Sequence, residues 1–269
     1  MKIFKIANGS HRLPVSLQSL VFPGGEVHVT VETDVPGEAL LIDAHLPDSA
    51  TIMTLLLVTD ALRHAYPGTP ITLRLPYVPY ARQDRVANPG EALSAKVFCQ
   101  LINSQQYQRV VIQDPHSDVV SALLDRVEIE DPLPALREVI RQTGPVALVA
   151  PDAGARKRVL KLAKSLALDV VFADKIRDTH TGAITGTQIA SPLPDLPLLV
   201  VDDICDGGRT FTELAAALAT QQQTQSQDHP LYLFVTHGIF SKGLEPLLSC
   251  YHGVFTRNNW TQDDRCQLV

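Results

Sequence analysis

Asp202, Asp203 and Asp206 stand beside Gly207, Gly208 and Thr210 within LLVVDDICDGGRTFTELAAAL, Leu198 to Leu218. A buried strand over Leu198–Val201, acids where it ends, a loop over Ile204–Arg209 and a helix opening at Thr210 would turn backbone N–H groups and a helix N-terminus toward an anion. The glycines let the chain approach a phosphate closely. Carboxylates beside such a site suit sugar hydroxyls or a ligand carrying Mg²⁺. The same spacing also describes an ordinary strand–turn–helix with solvated acids.

Four other places could do chemistry. Arg82 and Arg85 in RQDR can clamp phosphates bidentately, with Gln83 reading a base edge; a solvated surface loop accounts for the four residues equally well. His116, after Asp114-Pro115, has an imidazole suited to a metal or a phosphate. A carboxylate such as Asp152 can share one octahedral Mg²⁺ with it, although Asp152 is equally placed to cap a helix from Ala153. Lys175 and Arg177, at the mouth of a polar stretch (Thr179–Gly186), suit charge stabilisation in phosphoryl or pyrophosphoryl transfer; otherwise they are a solvated basic pair. No GxxxxGK[ST], GxGxxG after a strand, GxSxG or HExxH occurs, which removes the main supports for a Walker NTPase, a Rossmann dehydrogenase or those hydrolases.

The elements that must position these groups alternate. Strands are expected over Glu26–Glu32, Leu40–Asp43, Ile71–Leu75, Arg109–Gln113, Val146–Ala150, Val170–Phe172, Tyr232–Val235 and Gly253–Phe255. Helices are expected from the Asp48 cap to Pro67-Gly68, over Glu91–Ser104 with Leu93, Val97, Phe98, Leu101 and Ile102 inward, over Ala153–Ala167 and over Leu244–Ser249. The prolines of Pro76-Tyr77-Val78-Pro79-Tyr80 imply an extended segment. Gln221–Asp228 reads as a solvated loop. Strands alternating with helices make an α/β protein with largely parallel sheets. Its polar clusters follow strands, where open α/β sheets bind ligands. A break near Gln142–Pro145 divides the chain into 1–143 and 144–269.

The 269 residues are 45% hydrophobic and carry a net charge of −6, giving no overall basic field for nucleic acid. No apolar run approaches a membrane helix, and MKIFKIANGSHRLP contains no signal-peptide core. Four scattered cysteines without a CxxC pair fit a reducing compartment, so the expected location is the cytoplasm. Cys205 stands out because it falls inside the acidic loop.

A set of motifs runs along nearly the whole chain. Phe22-Pro23-Gly24-Gly25-Glu26 looks like F-x-[DN]-G-E, and Pro76–Arg85 is similar to PYFPYARQDR. Gly90–Lys96 resembles GEPISAK, Asp114-Pro115-His116 stands for D-L-H, and Ala150–Gly154 resembles SPDxGG. Asp174–Arg177 resembles DKxR, Val201–Thr210 resembles VDDMIDTGGT, and Thr236–Ser241 resembles THGVFS. Together and in this order they resemble the ribose-phosphate diphosphokinases, or PRPP synthetases.

The resemblance implies two type I phosphoribosyltransferase-like α/β domains, the first on the ATP side and the second carrying the ribose 5-phosphate loop. It implies a nucleotide-biosynthesis transferase, a kinase that converts ATP and ribose 5-phosphate to PRPP and AMP with Mg²⁺. By position, Phe22 and Glu26 would border the adenine from a neighbouring subunit, and Arg82, Gln83, Asp84 and His116 would bind ATP. His116 and Asp152 would hold Mg²⁺, and Lys175 and Arg177 would lie on the catalytic flexible loop. Asp202 and Asp203 would meet the ribose hydroxyls, and Asp206, Gly207, Gly208, Arg209 and Thr210 would wrap the 5-phosphate. A homo-oligomer is implied, a dimer or a dimer-based tetramer or hexamer, with neither nucleic acid nor membrane as partner. The chain departs from the family at Gly207 for threonine, Arg209 for glycine and Gly24 for aspartate or asparagine, and after His116, where QIQGFF is missing. Two alternatives stay open: a non-catalytic regulatory subunit of this kind, and a phosphoribosyltransferase that consumes PRPP.

Overall fold

Short, largely apolar runs build the sheets of this protein, several of them, such as Ile71–Leu75, Arg109–Gln113 and Ala147–Ala150, stopped by proline or an acid. The computed structural model describes residues 1–33, 37–177, 184–189 and 191–269, with 175–177 and 184–185 described as backbone. These divide into two units, Met1–Asp131 and Pro132–Val269. The division falls ahead of the Gln142–Pro145 break read from the sequence, which is the end of a helix, with Gly144 at its C-cap.

In the first unit the order is β1 (Lys2–Ala7), β2 (His11–Pro14), β3 (Leu17–Val21), β4 (Val27–Val31), β5 (Ala39–Asp43), α1 (Ser49–Ala65), β6 (Ile71–Leu75), α2 (Ser94–Ser104), β7 (Arg109–Gln113), α3 (Asp118–Leu123) and β8 (Val127–Glu130). The sheet runs β2-β1-β5-β6-β7-β8, parallel from β5 to β8 and antiparallel at the β1 edge. Asp48 caps α1 as its sequence suggests: Oδ1 accepts from Thr51 N at 2.8 Å and Thr51 Oγ1 accepts from Asp48 N at 3.3 Å. Ile52, Leu55, Val58 and Leu62 of α1 pack with Leu40, Ile42, Leu73 and Ile112 of the sheet. β3 and β4 form a separate antiparallel hairpin.

The second unit contains α4 (Leu133–Thr143), β9 (Ala147–Ala150), α5 (Arg156–Leu166), β10 (Val170–Arg177), β11 (Ile184–Ile189), β12 (Leu198–Cys205), α6 (Arg209–Thr224), β13 (Leu231–Gly238), α7 (Glu245–Leu248), β14 (Gly253–Asn259) and β15 (Gln267–Leu268). Its sheet order is β11-β10-β9-β12-β13-β14-β15, parallel except at β10–β11. Leu198 and Val200 pack with Phe211, Leu214 and Leu218 of α6, while Leu199 and Val201 pack with Leu136 of α4 and Val159 of α5. A strand covered on both faces must be apolar at consecutive positions, which is why LLVV does not alternate.

Several expectations are corrected. The α2 helix begins at Ser94, because Glu91 is committed to the preceding loop: its Oε2 accepts from Ala87 N and Asn88 N at 2.9 and 3.0 Å. Val97 faces outward, 62% exposed, while Ala95, Phe98 and Ile102 supply the buried face. Pro76–Tyr80 bends rather than extends, with Tyr80 at φ +63°. α5 starts at Arg156, after a turn over 153–155. The glutamine run is not a solvated loop. α6 continues to Thr224, Gln222 is buried and its amide bonds His229 N and O, and Gln225 bonds Leu193 N and O. Each amide bonds both the N–H and the C=O of one residue in the segments that lead into β12 and β13, tying those segments to the end of α6.

Candidate functional site

In the second unit the acids lie within β12, which continues to Cys205 instead of ending at Val201. Pairing with β13 carries it on, Asp202 opposite Val235 and Ile204 opposite His237. Asp203 is buried and Asp202 nearly so, and both meet one cation that the sequence reading passed over. Arg158 Nη1 donates to Asp202 Oδ1 at 2.8 Å, and its Nη2 lies 3.3 Å from Asp203 Oδ2. Burial, then the adjacent Asp203 charge, raises the Asp202 carboxyl pKa above the ordinary range, and Arg158 opposes this. The signal for Arg158 was its place on the basic helix α5.

Cys205 is fully buried at the strand end, not in an exposed loop, and burial pushes its thiol up to about 12. It is therefore a packing residue rather than a nucleophile.

The chain then turns into α6 through Asp206, Gly207 and Gly208. Gly208 is the N-cap at φ +79°, and no side chain caps the helix, so the N–H groups of Arg209 and Thr210 open it as first-turn donors. A β-carbon at Gly208 would lie 3.4 Å from Leu247 Cδ2, whereas one at Gly207 would meet nothing closer than Lys242 Cγ at 3.7 Å. Arg209 is directed along the helix: its Nε donates to Glu213 Oε1 at 2.6 Å and its side chain is 84% exposed. It has no left-handed φ and adds no backbone strain to the loop. Gly208→Ala should therefore lose about 1–2 kcal/mol of stability in urea unfolding, and Gly207→Thr should change it by less than about 0.5 kcal/mol. Equal midpoints for the two variants would show that the turn relaxes.

In the same unit, β10 runs past the parallel sheet and pairs with β11, Lys175 opposite Thr187 and Arg177 opposite Ile184, with a register shift after Ile176. The Lys175 and Arg177 side chains lie outside the described residues, as does part of the polar stretch expected over Thr179–Gly186. The base of this arm is fastened by Arg156. Its Nη2 bonds both oxygens of Asp174 at 2.6 Å, and its guanidinium lies 5.3 Å from the Phe172 ring centroid. Asp152 Oδ1 accepts from Gly154 N and Ala155 N at 3.0 and 3.2 Å, holding the turn before α5.

In the first unit, Arg82 and Gln83 lie exposed on the loop after β6, and Asp84 is half-buried. The loop is pinned at both ends: Gln113 N donates to Pro76 O, and Ala95 N to Gln83 O, with Val78 and Ala81 buried beneath. Arg74 ties its root to two acids, donating to Asp43 Oδ2 at 3.0 Å and Glu130 Oε1 at 2.9 Å. His116 is exposed after the turn that ends β7, where Asp114 has φ +37°. Phe22 and Glu26 form the exposed tip of the β3–β4 hairpin, with Phe22 N donating to Glu26 O at 2.8 Å and Gly25 at φ +89°. Thus Arg82, Gln83, Asp84 and His116 follow the carboxyl ends of strands in one unit, and Asp152 and Asp206–Thr210 do so in the other, with Asp202 and Asp203 in the last residues of β12.

Residues 5–105 match the family model of the N-terminal domain of ribose phosphate pyrophosphokinase, and 125–224 match the phosphoribosyl transferase domain. The chain is 32% identical to the ribose-phosphate pyrophosphokinase of Sulfolobus acidocaldarius, over 74% of this chain and 70% of the relative. It belongs to the ribose-phosphate pyrophosphokinase family. The corresponding protein of Bradyrhizobium diazoefficiens is 30% identical, over 88% of this chain and 75% of that one. The fold is that of the family as well: the crystal structure of phosphoribosylpyrophosphate synthetase from Mycobacterium smegmatis matches with a TM-score of 0.76 at 24% identity, covering 90% of this chain and 80% of that chain. The α/β architecture with two phosphoribosyltransferase-like domains is as the sequence implied.

Proposed function

We propose that this protein transfers the pyrophosphoryl group of ATP to the C1 hydroxyl of ribose 5-phosphate, giving PRPP and AMP. The observation that carries the reading is the Asp206–Thr210 turn, whose left-handed Gly208 delivers uncapped first-turn N–H groups beside the Asp202–Asp203 pair. These N–H groups and the Thr210 hydroxyl hold the 5-phosphate, and the two acids accept from the ribose hydroxyls. Arg82 and Gln83 hold ATP, aided by Asp84 and His116. Phe22 and Glu26 of a neighbouring subunit border the adenine in a homo-oligomer. The C1 hydroxyl attacks the β-phosphorus in line as AMP leaves, so positioning and charge neutralisation carry the rate. Lys175 and Arg177 close over the phosphates and stabilise charge there.

His116 and Asp152 are the residues that would hold Mg²⁺. Among the described residues no three His, Cys, Asp or Glu side chains gather into a metal cage. One imidazole and one carboxylate suit an ion that keeps its waters and binds mainly through substrate phosphates. Bound in this way, Mg²⁺ supplies charge neutralisation on the phosphate oxygens. No helix among the described residues is long and apolar enough to cross a membrane, and the proposed location is the cytoplasm.

A coupled assay should show AMP release that requires both ribose 5-phosphate and Mg²⁺. Absence of nucleoside monophosphate release from every nucleoside triphosphate, in a protein that still binds ribose 5-phosphate, would instead establish a non-catalytic subunit. A requirement for a nitrogenous base would establish a PRPP-consuming transferase.

A further inference from the structure

The loop at the end of β12 is bounded on one side by the turn that follows β13. Ile239 N and Phe240 N both donate to Cys205 O at 2.9 and 3.1 Å, and Ser241 N donates to Asp206 O at 3.1 Å. The turn closes tightly, Gly243 N to Phe240 O at 2.8 Å, with Phe240 and Gly243 both at left-handed φ. This zipping brings two exposed side chains against Gly207: a β-carbon there would lie 3.7 Å from Lys242 Cγ and 3.9 Å from Ser241 Oγ. Gly207 itself offers no side-chain donor, and its open space is bordered by a hydroxyl and an ammonium stem. No carboxylate pairs with Lys242 among the described residues. A cation whose stem passes this close to Gly207, with no carboxylate partner among the described residues, can reach a phosphate held at the start of α6 as a point charge.

We propose that Lys242, on the turn after β13, is a further binding residue for the sugar phosphate, its ammonium binding the 5-phosphate held by the Asp206–Thr210 loop. This rests on the reading of that loop as the ribose 5-phosphate site. Ser241 adds a neutral hydroxyl at the same wall. The role is in ground-state binding of a group far from the reacting C1, so it falls on KM for ribose 5-phosphate rather than on kcat.

Steady-state kinetics on the full-length protein test it with Lys242→Ala, Lys242→Arg and, as a probe of the loop itself, Thr210→Val. Lys242→Ala should raise KM for ribose 5-phosphate about tenfold while kcat and KM for ATP each change by less than about twofold, and Lys242→Arg should restore most of the difference. If Thr210→Val raises KM for ribose 5-phosphate and Lys242→Ala does not, the Lys242 proposal is overturned and the loop reading stands. If neither variant changes it, both fall. A fall in kcat without a change in KM would also overturn the proposal.

Discussion

Replacing Lys175 with alanine should lower kcat by about a hundred- to a thousandfold and leave the dissociation constant for ATP within about twofold. In pyrophosphoryl transfer negative charge spreads over the transferring group and the departing AMP oxygen, and little covalent work falls to the protein. A cation that meets those oxygens only as the site closes contributes to the transition state and not to the initial capture of ATP. The backbone places Lys175 just beyond the parallel part of the second sheet, on a β10–β11 pair rather than a bare loop. The Arg156–Asp174 clamp fixes the residue immediately before it. Single-turnover AMP formation and equilibrium titration with a non-hydrolysable ATP analogue separate the two quantities. An unchanged single-turnover rate would remove Lys175 from the chemistry; a parallel loss of ATP affinity would make it a binding residue instead.

What the sequence disclosed and what it hid follow from the range of the interactions concerned. Ile71–Leu75 and Arg109–Gln113 are strands as read, since each is a β-rich run with clear stops, and the Asp48 cap is a signal contained within four residues. The end of β12 was not legible because partners in β13 extend it across two acids, and register of this kind is a long-range property. Lys2–Ala7, at the antiparallel edge, went unassigned, as did the short α3 and β8, which offer too few residues for a period to show; α4 was passed over although Ala135, Leu136 and Val139 mark a clear buried face. The direction of Arg209 was within reach, because Glu213 follows at the i+4 spacing that pairs side chains on a helix. Arg158 and Lys242 were not: each is defined by a neighbour more than thirty residues away in the chain, Asp202 for one and Gly207 for the other. The candidate site was thus visible as motifs, while the groups that set its charge needed the fold.

Arg158→Leu should destabilise the protein by about 3–5 kcal/mol near pH 8, and by clearly less near pH 5.5. The guanidinium is 19% exposed and its partners Asp202 and Asp203 are 16% and 5% exposed, so solvent screens the trio weakly. Leucine removes the cation that the two neighbouring carboxylates share. The sign of the pH effect follows from Asp202, whose folded-state pKa is raised by burial and then by Asp203, with Arg158 acting downward. In the window between the ordinary carboxylate value and that raised value, the folded chain binds more protons than the unfolded chain, so stability falls as pH rises through it. Removing Arg158 lifts the folded value further and widens the window upward, so the fall continues to higher pH. At the lower pH the pair shares a proton and the loss shrinks. Urea unfolding of wild type and variant at both pH values measures this directly. Adding Asp202→Asn to Arg158→Leu should recover much of the loss at pH 8, because one neutral amide then stands where the second charge was. Equal losses at the two pH values, with no recovery in the double variant, would mean that Arg158 acts by packing its stem on β12 and not by holding the charge of Asp202 and Asp203.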